Sequence, residues 1–115
     1  MIEATGDVFE GRFLGQRGGL GYAGRVTLVL DRQPATPGVE VDCHGAGYSR
    51  QGTAEEATAD GYVAWKAGAR VGAAYALRCA GLHDHGVTIT KIVGFTTDTN
   101  PTILAAAAAR AVWKA

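Results

Sequence analysis

Two short stretches of this 115-residue chain hold the side chains best suited to metal binding or acid–base chemistry. His83-Asp84-His85 and Cys43-His44 carry imidazole, carboxylate and thiol groups at predicted strand-end loops, where they could converge on a metal ion. Asp84, flanked by two histidines, is also a candidate for acid–base work. The spacings C-H and H-D-H match no structural zinc pattern. A polar surface turn therefore competes with a site made of His83, Asp84, His85 and His44. A third stretch, Gly15-Gln16-Arg17-Gly18-Gly19-Leu20-Gly21, has four glycines in seven residues. At a hairpin tip, backbone amides unshielded by side chains approach a phosphate or a base pair closely. Gln16 and Arg17 sit on this tip, and residues 11–34 hold four arginines against one acid, Asp31. The plain alternative is a hairpin with a solvated rim.

Other signals argue against enzyme machinery. Gly19-Leu20-Gly21-Tyr22-Ala23-Gly24 matches G-x-G-x-x-G, but that fingerprint needs a helix after it, and here a strand follows. There is no Walker A sequence and no G-x-S-x-G, so no nucleotide, cofactor or catalytic residue is expected. The Glu55-Glu56 pair reads as charge at a helix start. Trp65, Tyr75 and Trp113 read as core or helix-packing residues.

The elements that must position these groups are legible as periodicity. Residues 8–14 read as a first strand, and 25–31 as the clearest one, with Val26, Leu28 and Leu30 on one face. Residues 39–43 alternate with Val39, Val41 and Cys43 inward, and a three-stranded antiparallel meander is the simplest arrangement. Thr53-Ala54-Glu55-Glu56 has the form of a capping box. The helix after it repeats Val63, Ala67, Val71, Ala74 and Leu77, with Gly68 or Gly72 as a point of interruption and Gly81 as its end. Residues 87–95 form a fourth strand whose alternation fails at Lys91 or Ile92, the mark of a bulge or an edge position. Asn100-Pro101 opens an alanine-rich last helix anchored by Ile103, Leu104, Val112 and Trp113. The order β-β-β-α-β-α implies an α+β two-layer sandwich, a mostly antiparallel four-stranded sheet with helices on one face.

Length allows one domain, 1–115. Hydrophobic residues make up 47% and charged residues 19%, which excludes a disordered tail. Eleven basic and eleven acidic residues give zero net charge, which excludes a strongly basic nucleic-acid coat but not a local patch. With 21 alanines and 17 glycines, the core must be thin and the layers close. No basic, apolar leader opens the sequence and no apolar run spans a membrane, so a cytoplasmic protein with both cysteines reduced is expected.

One resemblance joins these pieces. Residues 10–26, Glu-Gly-Arg-Phe-Leu-Gly-Gln-Arg-Gly-Gly-Leu-Gly-Tyr-Ala-Gly-Arg-Val, resemble the opening of domain IV of translation elongation factor G, typically E-G-K-F-x-x-Q-[ST]-G-G-R-G-Q-Y-G-x-V, without a gap. Residues 94–102 followed by an alanine-rich helix are similar to that family's G-S-Y-H-D-V-D-S-S segment. The resemblance implies the fold of the second domain of small ribosomal protein five, with a left-handed β-α-β crossover. It also implies a tip that contacts RNA, formed by Gln16, Arg17, Gly18 and Gly19 with Thr96, Thr97 and Asp98. Thr97 stands where the family has histidine, and Leu20 and Tyr22 replace its arginine and glutamine. No GTPase is encoded in these residues. A domain binding the ribosome or structured RNA is the reading adopted, in competition with a self-associating structural protein and a small ligand- or metal-binding protein.

Overall fold

The computed structural model describes residues 7–17, 20–31, 37–45, 47–48, 54–82, 84–95 and 99–114. Strands β1 (Asp7–Arg17) and β2 (Leu20–Asp31) pair antiparallel along their whole length, from Asp7↔Leu30 to Arg17↔Leu20. β2 next pairs antiparallel with β6 (Gly86–Phe95). β3 (Gly38–Val41) lies on the far side of β6 and runs parallel to it. Further along the same side, β6 carries β5 (Ala54–Glu56), which pairs with β4 (Gly47–Tyr48). Helices α1 (Val63–Cys79) and α2 (Pro101–Trp113) cover one face of this mixed sheet.

The expected α+β layering holds, with two short strands, β4 and β5, added to the expected four, but the three-stranded meander does not. β3 joins β6, not β2, because the second edge of β2 is occupied by eight pairs with β6. Parallel neighbours cannot be linked by a tight turn, and α1 lies in the long connection between β3 and β6. Alternation puts Val39, Val41 and Cys43 inward as expected, but it carries no information about the neighbouring strand. The break in β6 is a bulge: Thr27 faces Lys91 and Leu28 faces Ile89, leaving Thr90 with no residue opposite it on β2. Val87, Ile89 and Ile92 thereby all reach the helix side and are buried.

The capping box is also overturned. Glu55 and Glu56 belong to β5, where they pair with Gly94 and Val93, and Thr53 lies outside the described residues. The upper half of β6 needs main-chain partners on this side, and β5 supplies them. α1 starts eight residues past Glu55 at Val63, has no acid in its first turn, and is entered through Tyr62 at φ 63°. The Tyr62 hydroxyl donates to Glu55 Oε1 at 2.8 Å, and its ring lies 4.9 Å from that of Trp65. Gly68 and Gly72 do not interrupt the helix. They form its contact with α2: a Cβ on Gly72 would sit 2.0 Å from the Ala105 carbonyl oxygen. The stop at Gly81 is as expected, with Gly81 N–H donating to Arg78 O and Leu82 N–H to Leu77 O.

Close approach also sets which residues of α1 are buried. Its inner stripe is Gly68, Ala69, Gly72, Ala73, Ala76 and Leu77. The expected stripe lies largely outside it: Val63 is 74% and Val71 66% exposed. Of Trp65, Tyr75 and Trp113, expected in the core or in helix packing, Trp65 is partly buried against the core, while Tyr75 and Trp113, 52% and 53% exposed, lie along the seam between α1 and α2. In α2, Ile103, Leu104 and Val112 are buried as expected, and Ala107 and Ala111 lie against Gly11 of β1. Asn100 caps α2 by accepting from Ile103 N–H at 2.9 Å. Asn100→Ala should cost about 1 kcal/mol, read from denaturant unfolding, because that N–H has no other helical acceptor.

Candidate functional site

The β1–β2 hairpin continues past the rest of the sheet. β6 reaches β2 at Gly94↔Gly24, and Gly24 is itself opposite Phe13. Four further pairs, ending at Arg17↔Leu20, extend the hairpin by about 14 Å at about 3.4 Å per residue. Gln16 and Arg17 are the last residues of β1 before the turn, and Gly18 and Gly19 lie outside the described residues. β6 runs towards this same end and stops at Phe95, and Thr99 packs against Gly94 on the way into α2. Thr96, Thr97 and Asp98 fall between these points and are also outside the described residues.

Below the tip, the sheet face opposite the helices carries charge. Gly11 and Val26 face α2, so the alternate pair Arg12↔Arg25 faces outward, as do Glu10 and Lys91. Arg12 Nε donates to Glu10 Oε1 at 2.9 Å. That hydrogen bond holds the Glu10 carboxyl below its ordinary value, against a smaller opposing effect of burial, with help from the charges of Arg25, Arg12 and Lys114. Lys91 lies 3.9 Å from Glu56. The surface under the tip therefore holds three cations, and two of them are shared with carboxylates.

Among the described residues, His44 and His85 do not gather at one point. His85 Nδ1 lies 2.9 Å from Asp84 Oδ1, at the start of β6 beside Gly38. His44 follows the other end of β3 and pairs with Asp42 at 2.8 Å. The parallel register places β3 between these two histidines. His83 is outside the described residues, and among the described residues no group of three or more His, Cys, Asp or Glu side chains is placed to hold a metal ion. Cys43 is buried with Sγ 3.7 Å from Ile89 O, and burial pushes its thiol up from the ordinary value. Cys79 is exposed, and both cysteines are free.

Sequence reasoning missed two grooves flanking α1. One, of about 470 Å³, lies between α1 and β3, with a floor of Val39, Ala74, Leu77 and Leu82. Its rim holds Arg70, Arg78 and His85. The other, about 400 Å³, lies between α1 and α2 and is lined chiefly by Val71, Tyr75, Ala106 and Trp113. A readable signal was present: neither helix contains an acidic residue, while α1 carries Lys66, Arg70 and Arg78. Among the described residues, no helix is long and apolar enough to cross a membrane.

No protein family matches the chain by sequence, and no curated relative does. Solved structures do match. One is the crystal structure of a protein from Thermus thermophilus, similar over 93% of this chain with a TM-score of 0.69 and 19% identity. The chain spans 15% of that protein's length. At this identity the likeness concerns the fold alone.

Proposed function

We propose that this domain is an RNA-binding module of the kind resembling domain IV of elongation factor G. It engages the ribosome or another structured RNA with the end of the β1–β2 hairpin and the segment before α2, and it carries no GTPase step. The observation that supports this most directly is the strand register. It extends the hairpin beyond the sheet and brings the end of β6 to the same pole. A narrow two-stranded projection ending in Gln16 and Arg17 suits a nucleic-acid groove better than it suits a buried protein contact. Arg12, Arg25 and Lys91 lie on the outward sheet face below the tip, with Arg12 and Lys91 beside Glu10 and Glu56, and contact of such cations with a phosphate backbone would weaken steeply with salt through counterion release.

Co-sedimentation with ribosomes at about 50 mM and about 200 mM salt tests the proposal. The expected result is a complex at the lower salt that is largely lost at the higher. Arg17→Glu should reduce the salt slope by about one and weaken binding without altering the melting temperature. Absence of binding to any ribosomal or structured RNA at low salt would remove the proposal. The competing self-association reading finds no support on the β1 side. There Lys114 Nζ and Arg110 Nη1 donate to the carbonyls of Glu10 and Arg12, covering part of that edge.

A further inference from the structure

We infer that the outer edge of β3, with the groove beneath it, receives an extended peptide by strand addition, one that presents a carboxylate, an apolar side chain and a second carboxylate on its inward face. This surface is separate from the hairpin tip, and the inference does not depend on the RNA-binding reading.

The main chain of β3 is half used. Gly38 N–H donates to His85 O at 3.3 Å, and Asp42 N–H donates to Ile89 O at 2.9 Å. Strand alternation then turns Glu40 towards β6 and the N–H and C=O groups of Val39 and Val41 away from it. Among the described residues no strand pairs with that outer side, and neither valine has a backbone partner there. Such a row of donors and acceptors is what an added strand reads. β1, the long outer strand on the opposite side of the sheet, is less available because Lys114 and Arg110 already bond its carbonyls at Glu10 and Arg12.

What lies under the open edge supplies selectivity. Alternate side chains of an added strand would hang on the helix side, over the floor of Val39, Ala74, Leu77 and Leu82. A volume of about 470 Å³ accommodates a large aliphatic side chain with room for its neighbours. Arg70 and Arg78 are exposed on the rim, eight residues apart on α1, which is about 12 Å at about 1.5 Å per residue. Carboxylates at the first and fifth positions of a strand share a face and are about 13 Å apart, a comparable span. A second copy of the chain fits poorly. Two β3 edges paired about a two-fold axis would set Glu40 against Glu40 and the Arg70 and Arg78 rims against each other.

The test uses the full chain and two blocked peptides, Ser-Glu-Thr-Leu-Thr-Glu-Ser and its counterpart with lysine for both glutamates, followed by amide hydrogen exchange and titration. The glutamate peptide should bind saturably, slow exchange at Val39 and Val41, and bind at least tenfold more tightly than the lysine peptide. Val39→Pro deletes an outward N–H that no ladder bond uses, so the fold should survive while binding is lost. The double variant Arg70→Glu, Arg78→Glu should lose at least tenfold in affinity. As both side chains are exposed, it decides the matter even if the proline variant unfolds. Absence of saturable binding would overturn the inference, as would equal affinity for the two peptides or protection confined to the β1–β2 tip. So would protection of Val39 and Val41 by a dimer without peptide, or by an RNA oligomer instead of the peptide.

Discussion

Gly11→Ala should destabilise the fold by about 3 kcal/mol or more, a loss on the order of 10–20 °C in melting temperature. A Cβ at position 11 would lie 1.9 Å from the Ala107 carbonyl oxygen, 2.5 Å from Ala111 N and 3.0 Å from Ala111 Cβ. Two of these atoms are backbone of α2, so no change of side-chain rotamer relieves the overlap. The helix itself must lift. Lifting unpacks Leu104, Ala107 and Ala111, all fully buried, and pulls on the Lys114 and Arg110 bonds to the carbonyls of Glu10 and Arg12. In a strand, alanine would otherwise gain slightly over glycine through lower unfolded-state entropy, by about 0.4–1 kcal/mol. The steric cost exceeds that gain, which fixes the sign. Small domains have only about 5–15 kcal/mol in total, so this one methyl group should remove a large share of the stability. Thermal and urea melts of the variant decide it; a melt unchanged from wild type would mean that α2 does not rest on β1 at this distance.

The same closeness explains which parts of the fold were legible in the sequence. Where apolar side chains alternate in a half-buried strand, pattern and fold agree: Val26, Leu28 and Leu30 are buried together, as are Val87 and Ile89. Local chemistry was legible too, since Asn100-Pro101 and Gly81 act within one turn of the helix end they define. The reading failed at α1 because periodicity ranks residues by hydrophobicity, whereas a tightly packed helix pair ranks them by size. Gly68 and Gly72 look like interruptions in a sequence and are contact points in the fold, and burying them turns Val71 and Tyr75 outwards. Glu55-Glu56 failed for another reason. Two acids after a threonine are a local helix signal, but the upper part of β6 draws them into the sheet as β5.

For the candidate sites, the limits are those of distance along the chain. The glycine-rich stretch 15–21 is one contiguous motif, so a hairpin here was legible, but its length was not: β1 runs on to Arg17 and β2 starts at Leu20, so most of the stretch expected to be turn is paired strand. The groove beside β3 is made of pieces from residues 38–39, 70–78, 82 and 85. Nothing in the sequence announces that β3 is an edge strand, because that depends on β6, more than forty residues later, lying between it and β2. The histidine proposal shows the converse. Chemical type groups His44 with His85, whereas the parallel register sets them beyond opposite ends of β3.

Two single-residue deletions in β6, only two positions apart and both removing a threonine, should have opposite outcomes. Deleting Thr90 should cost well under about 1 kcal/mol, and deleting Thr88 about 2–4 kcal/mol. Thr90 is the extra residue of the bulge, exposed next to exposed Lys91, and its hydroxyl makes only a long 3.4 Å contact with Thr27 O. Removing it leaves Ile89 opposite Leu28, Lys91 opposite Thr27 and Ile92 opposite Val26, all on their present faces. It also leaves Ile89 O and Ile92 O directed at their partners, Asp42 N–H and Ala57 N–H. Thr88 has a partner, Val29, so its loss must be absorbed by a slip. If the chain after it moves back, the bulge is consumed, Thr90 takes the core place of Ile89, and Ile89 turns to the open face. If the chain before it moves forward, Gly86 takes the place of Val87. Either way one buried aliphatic side chain leaves the core, because a one-residue slip exchanges the two faces of a strand. Urea unfolding of both variants at one temperature makes the comparison. Equal losses would show that Thr90 is an ordinary member of the ladder, and that the bulge is not what brings Ile92 beside Val26.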